Sequence, residues 1–496
     1  MLSASIHLFP REPQGEISPF LHGHFLEHTG DCIDSGVWVG EESEIPNHNG
    51  VRQGVFEALQ ALEPPVIRWP GGCFADAYNW RDGIGPNRPK RVTSRWGGDE
   101  IESNGFGTHE FLRLCREIGA QPWLGGNVGS GTPRELADWV EYCNFAGGTT
   151  LSDERAQNGD AAPFGVKFWG IGNESWDCGG KFTPATYAAQ YRQFESHLPR
   201  FDGQEAFLIA VGPEGNRADT SAMWTRQLLQ HLGEWRAPRL HGLDAHFYTW
   251  NSQSEFGSAT QFSLDEYYGL LSESLKVEKV IDEQREILDS SALGRQTRLI
   301  LGEWGVWHPR EERFFWQPNT LRDALSAAMT LDLFHRKSDK LYMANLAQTV
   351  NVLQSLLHTF GDQTVKTPTY HVFDLYKRHR GGQLIEAQFE SGEAGGLPRL
   401  SGSASLQGGV VTLSVVNTGA RSPVEATISL PGQNIESVTA RELSGDGLGS
   451  QNTLESPDAL SPREISPLFD PTNEKSSFAH AFAPASVTVF LIKLSS

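Results

Sequence analysis

Long apolar runs are missing from this 496-residue chain: none approaches the roughly 18 consecutive apolar residues that a bilayer-crossing helix requires. The N-terminus, Met1-Leu2-Ser3-Ala4-Ser5-Ile6-His7-Leu8-Phe9-Pro10, has neither a basic n-region nor a long apolar h-region. A soluble, cytoplasmic protein, not exported by that route, is expected. Positive charge is also scarce, with 41 basic against 61 acidic residues and a formal net charge of -20. Such a surface repels phosphate backbones and anionic headgroups, so neither nucleic acid nor membrane is an expected partner, and a neutral glycan is. Cysteine is sparse as well. Cys32, Cys73, Cys115, Cys143 and Cys178 are odd in number and lack the close paired spacing of zinc sites and disulfide frameworks, so reduced thiols are expected. The doublet Gly71-Gly72 is no GxGxxG, and a dinucleotide cofactor has no turn to sit on.

What is present is a regular alternation. From about residue 17 to 380, short apolar runs alternate with segments of helical period, the pattern of βα units. Eight strands are predicted: Ile17 to Phe25, Pro65 to Trp69, Gln121 to Gly126, Val166 to Gly172, Ala206 to Val211, Leu240 to Tyr248, Leu299 to Glu303 and Leu341 to Gln348. Helices are predicted over Val51 to Leu62 and Leu321 to Phe334, and Thr132-Pro133-Arg134-Glu135 has the hydroxyl, proline and glutamate of a helix start. Eight units point to a closed (β/α)8 TIM barrel, whose C-terminal strand ends gather at one mouth. Those ends carry Glu27, Cys73, Asn127, Asn173 with Glu174, Glu214, His246 with Tyr248, Glu303 and Gln348. After about residue 381 the helical period gives way to β-rich runs such as Val410 to Asn417 and Val487 to Ile492, which predict a β-sandwich.

Glu174 and Glu303, 129 residues apart, each terminate a predicted strand. An unpartnered ionised carboxylate is very costly in apolar surroundings, so such a group is either paired or used. One alternative for each is a structural ion pair with a barrel arginine such as Arg68. Used together, two carboxyl groups hydrolyse glycosides, one protonating the leaving oxygen and the other acting on the anomeric carbon. Nearby Trp169, Trp176, Trp304 and Trp307 suit a pocket that stacks on sugar faces. His22, His24 and His28 could ligate a metal, but their spacing puts His28 beyond the strand. Hydrogen-bonded barrel histidines are expected instead, with no metal and no cofactor.

The segments Gly23-His24-Phe25-Leu26-Glu27-His28, Arg68-Trp69-Pro70-Gly71-Gly72, Tyr78 to Pro86, Gly172-Asn173-Glu174, Gly302-Glu303-Trp304 and Met343 to Gln348 resemble glycoside hydrolase family 51 across the whole predicted barrel. The resemblance implies a retaining, exo-acting α-L-arabinofuranosidase that removes terminal residues from arabinoxylan, arabinan or derived oligosaccharides, as a homo-oligomer, and suggests a hexamer. By the same resemblance Glu174 is the general acid and base, and Glu303 the nucleophile. Asn173, Glu27 and Gln348 hold the furanose hydroxyls, His246 and Tyr248 orient the two carboxylates, and Trp96 and Trp304 wall the pocket. The implied organisation is an N-terminal strand (1–16) joining the β-sandwich, a catalytic barrel (17–380) and a jelly-roll-like β-sandwich domain (381–496). Cys73 departs from the family's commoner Gly-Gly-Asn-Phe, replacing a sugar-binding amide with a thiol; Asn104 to Gly107 also lacks an expected acidic residue before Phe106. Another retaining glycosidase of the clan, a β-xylosidase or endoglucanase, is the alternative enzyme. A non-catalytic glycan-binding protein and a structural scaffold are the alternatives from other classes.

Overall fold

The computed structural model describes residues 2–93, 100–309, 315–469 and 475–495. Eight parallel strands close into a barrel: β1 (Gly23–Phe25), β2 (Val66–Trp69), β3 (Gln121–Gly126), β4 (Phe168–Ile171), β5 (Phe207–Glu214), β6 (Gly242–Trp250), β7 (Arg298–Trp307) and β8 (Leu341–Leu346). All eight predicted strands are present, and their boundaries differ for physical reasons. The first is short because Pro19, which has no N–H for a ladder, opens a 3-10 turn over Pro19–His22 instead. By contrast β6 and β7 run past the residues where they were expected to stop, pairing as far as Trp250 with Trp307. Glu303 therefore sits within a strand, opposite His246, and its neighbours alternate inward and outward.

The barrel interior is plugged by Val66, Trp123, Phe168, Ile209, Ile300 and Met343, one from each of six strands. Directly above this layer lies Arg68, whose guanidinium carbon is 4.7 Å from the Phe25 ring centroid and 5.0 Å from that of Trp123. Outside the barrel, the predicted helix start at Thr132 is realised: its hydroxyl accepts from Glu135 N at 3.3 Å while the Glu135 carboxylate accepts from Thr132 N at 2.6 Å.

A nine-stranded sheet forms the second unit. The strand Leu2–Glu16 lies within it, antiparallel to Gln383–Glu390 and parallel to Val424–Ser429. The sheet curls over its own core, because Phe478 and Phe482 from one edge strand meet Phe490 near the other edge. The helix Leu321–Arg336 is wedged between barrel and sheet, with every residue from Leu321 to His335 buried. Its Asp332 accepts from Ser403 and Ser414 of the sheet, at 2.8 and 2.6 Å, and from Tyr376 at 2.9 Å.

Candidate active site

Glu303 projects into the barrel from β7 and is held by three groups. Arg68 Nη1 donates to Oε1 at 3.0 Å, Tyr248 OH donates to Oε2 at 2.6 Å, and His246 Nδ1 lies 3.6 Å from Oε1. The ion pair with Arg68 that was the structural alternative for this glutamate is thus real, and it lies inside the same pocket as the second carboxylate. Burial alone would lower Arg68; Glu303, Asp244 and Glu27 outweigh it and hold the guanidinium above its usual value. The Arg68 guanidinium and the Tyr248 phenol thus place one donor on each oxygen of the Glu303 carboxylate.

Glu174 follows β4 on a turn in which Gly172 has φ +86° and Glu174 itself φ +38°. A non-glycine residue in that region is strained, and such strain gathers at sites that aim a side chain. Its Oε1 is 2.8 Å from His246 Nδ1. A carboxylate oxygen of Glu174, one of Glu303 and a His246 ring nitrogen all lie within 4.8 Å of one another. Burial raises the pKa of Glu174 above its ordinary value; Glu303 adds to the shift by repulsion, while His246 and Arg68 oppose it. The two carboxyl groups consequently occupy different settings: Glu303 lies against a guanidinium and a phenol, whereas Glu174 lies against an imidazole and is pushed toward the acid.

Around this pair stand the other predicted residues. Asn173 accepts from Arg68 Nη2 through its side chain, and its backbone N–H donates to the buried carboxylate of Asp76 at 2.8 Å. Asp76 also accepts from Val128 N and Gly129 N, both at 2.8 Å, and so fastens the ends of β3 and β4 together. Glu27 accepts from Gly72 N at 2.9 Å, Phe74 N at 3.3 Å and Gln348 Nε2 at 2.8 Å. Burial, and next the charge of Glu303, push Glu27 up to about 7. Gly72 is where glycine is required by space: a Cβ there would stand 2.7 Å from Glu303 Oε1. His22 contacts His335 at 2.9 Å, and His28 lies against Glu102 at 2.8 Å and accepts from Trp69 Nε1 at 3.0 Å.

Three expectations need correction or qualification. Cys73 is not a reduced thiol; it forms a disulfide with Cys178, joining the loops that follow β2 and β4. Two sulfurs 105 positions apart in sequence, each next to a different strand end, leave no local spacing signal. The bridge lies 3.5 Å (Cys178 Sγ) and 3.8 Å (Cys73 Sγ) from Glu174 Oε2 and forms one wall of a cleft of about 680 Å³ with Asn79, Ser130 and Arg91. Trp304 does not reach the carboxylates. As the residue after inward-facing Glu303 it points out of the barrel, against Phe334 and Phe373 at 5.2 and 6.2 Å. Trp307, further along the same strand, instead packs edge-on against Tyr248 at 5.0 Å. Trp96 lies outside the described residues. A larger cavity of about 850 Å³, between the helix Pro368–Tyr376 and the sheet, is lined by Lys377, Arg378 and Arg441 and is remote from the strand ends. Among the site residues, Asp244 was missed by sequence reasoning, although it shares the inner face of β6 with His246 and Tyr248 and the period of two exposes it.

Comparison with known proteins gives this geometry a family. Residues 58–267 match the model of the alpha-L-arabinofuranosidase 1 domain, and residues 302–486 that of the alpha-L-arabinofuranosidase C-terminal domain. The chain is 41% identical to an intracellular exo-alpha-L-arabinofuranosidase of Bacteroides ovatus, over 93% of this chain and 90% of that protein. Its fold superposes on the crystal structure of the GH51 arabinofuranosidase from Xanthomonas axonopodis pv. citri with a TM-score of 0.92 and 34% identity, covering 99% and 100% of the two chains. For the arabinose complex of the Thermotoga maritima alpha-L-arabinofuranosidase the TM-score is 0.86 and the identity 31%, with the same coverage. A barrel mouth with two glutamates side by side and this likeness over almost its whole length lead to one conclusion: the chain belongs to the α-L-arabinofuranosidases of glycoside hydrolase family 51 and is a glycoside hydrolase.

Proposed function

We propose that this enzyme removes terminal α-L-arabinofuranosyl residues from arabinoxylan, arabinan or their oligosaccharides, acting from the chain end and with retention, through Glu303 as nucleophile and Glu174 as acid and base. The observation that carries the proposal is the closeness of the two carboxylates, within 4.8 Å at their nearest oxygens, combined with their opposite surroundings. Retention uses carboxyl groups about 5 to 5.5 Å apart, whereas inversion needs about 6.5 to 9.5 Å to admit a water.

In the first step Glu303, held in place by Arg68 and Tyr248, attacks the anomeric carbon as the glycosidic C–O bond breaks, and Glu174 gives its proton to the departing oxygen. The covalent ester removes the negative charge of Glu303. That charge is one of the causes raising Glu174, so its loss makes Glu174 a carboxylate suited to deprotonate the incoming water. Water then attacks the anomeric carbon, the ester bond breaks, and Glu174 regains its proton. Asn173, Glu27 and Gln348 hold the furanose hydroxyls in this reading, and the cleft beside the disulfide takes the leaving group. An intracellular site of action is proposed from the name of the Bacteroides ovatus relative, and homo-oligomerisation from the family resemblance. Light scattering on a size-exclusion column tests the latter, a 54.8 kDa monomer being the contrary result.

The test is nitrophenol release from a panel of 4-nitrophenyl α-L-arabinofuranoside, β-xyloside, β-glucoside and α-L-arabinopyranoside, with the Glu303→Ala variant alongside. Selective arabinofuranoside turnover that disappears in the variant is the expected result. Activity confined to a xyloside or glucoside would retain the carboxylate pair and reject the sugar, and turnover unchanged in Glu303→Ala would reject the nucleophile.

A further inference from the structure

Asp244 is a buried carboxylate of β6 beneath the catalytic pair, two residues before His246 and on the same face. Its Oδ1 accepts from Gly302 N at 2.5 Å, and its Oδ2 is 3.2 Å from His246 Nε2 and 4.0 Å from Arg68 Nη1. The seat depends on the residue before the nucleophile being glycine, because a Cβ at Gly302 would lie 2.3 Å from both carboxylate oxygens. On the other side of the imidazole, Nδ1 meets Glu174 Oε1 at 2.8 Å. Asp244, His246 and Glu174 thus form one buried chain of hydrogen bonds with Glu303 at its flank.

We infer that Asp244 is a positioning residue that keeps a proton on Nε2 of His246 and thereby leaves Nδ1 to share the transferable proton of Glu174. An ionised carboxylate only accepts, so the ring nitrogen facing it must donate. In the neutral ring, Nδ1 is then bare and accepts from the O–H of Glu174; in the imidazolium, Nδ1–H donates to the Glu174 carboxylate. In both cases the same proton lies between Oε1 and Nδ1. It is this proton that Glu174 gives to the leaving oxygen and recovers from water in the second step. The groups facing the ring are Asp244 below, Glu174 and Glu303 above and Arg68 beyond; the charges of Glu303 and Asp244 and the hydrogen bonds to Asp244 and Glu174 hold His246 up at about 10 despite its burial. The inference rests on Glu174 being the acid.

Asp244→Asn keeps the shape and the acceptor for Gly302 N, but its amide N–H now faces Nε2. The ring proton moves to Nδ1, where it donates to Glu174 and holds it as a carboxylate; a buried carboxylate against histidine fixes the tautomer in this way in other hydrolases. General acid help contributes on the order of 10²- to 10⁴-fold, and only where the leaving group is basic. With methyl α-L-arabinofuranoside, Asp244→Asn is expected to lose about 10²-fold or more in kcat/KM, and with the 4-nitrophenyl glycoside less than about tenfold. Glu174→Ala, measured beside it, must show the same split. Equal losses on both substrates in Asp244→Asn, with the split intact in Glu174→Ala, would overturn the inference and leave the acid assignment standing. No split in Glu174→Ala would overturn the acid assignment, and the inference with it. Should Asp244→Asn fail to fold, the 15N shifts of labelled histidine in the unmutated enzyme decide, the His246 signal being identified by its absence in His246→Gln. A protonated Nε2 supports the inference and a bare Nε2 overturns it.

Discussion

Glu27 illustrates how single residues here trade stability for a site. Its carboxyl is raised from 4.5 to about 7, first by burial and next by the charge of Glu303. Below pH 4.5 it is neutral in both folded and unfolded chains. As the pH climbs from there to about 7, the unfolded chain releases a proton that the folded one retains, so the folded state loses stability across that window. Glu27→Gln is uncharged throughout. Urea unfolding should find it equal to the parent near pH 4 and more stable by on the order of 3 kcal/mol at pH 8, while kcat/KM for arabinofuranosides falls. A difference independent of pH would refute the assignment. Gly72→Ala belongs at the same scale. Its Cβ would stand 2.7 Å from Glu303 Oε1, so nucleophile and Arg68 must separate, and kcat should drop by at least about tenfold with little change in the far-UV circular dichroism. At this scale the sequence was most legible where chemistry is local: Asn173-Glu174 and Gly302-Glu303 could be picked out as short motifs. The pairing of Cys73 with Cys178 and the outward turn of Trp304 could not, because each depends on which way a neighbouring segment turns.

At the scale of elements, Thr132 and Asp332 make opposite kinds of contribution. The capping box at Thr132 is entirely local, and Thr132→Ala should cost about 1 kcal/mol in chemical denaturation with activity preserved. Asp332 acts between elements. Its carboxylate takes hydroxyl donors from Ser403, Ser414 and Tyr376, and Asp332→Ala leaves those buried donors without it, so a loss of about 2 to 4 kcal/mol is expected. A loss below about 1 kcal/mol would mean that Ser403 and Ser414 satisfy one another. The helix Leu321–Arg336 was predicted from its apolar period, yet nothing in that period discloses that its polar face is buried too. Likewise, the alternation in β6 and β7 was readable, but their extra length follows from mutual pairing beyond the carboxylates.

For the whole molecule, the strand Leu2–Glu16 ties the start of the chain to its end. It is an interior strand of the nine-stranded sheet, and Ile6 and Leu8 are buried in that sheet's core. A chain beginning at Ile17 would expose two new strand edges, which invite aggregation. Differential scanning calorimetry of that variant should show the sheet unit melting well below the barrel, or only precipitate; an unchanged trace would contradict the pairing. The fold class was legible because eight repeats of a βα pattern leave few ways to close a core.

The sequence by itself determined the barrel, its two carboxylates and the family, since each is written in short runs whose period or motif needs no distant partner. Only the tertiary structure decided the rest: the Cys73–Cys178 bridge, the burial of Trp304, the seat of Asp244 under His246 and the separation of the glutamates. Those depend on distances between strands far apart in the chain, and such distances are set by the closure of the barrel and not by any local preference.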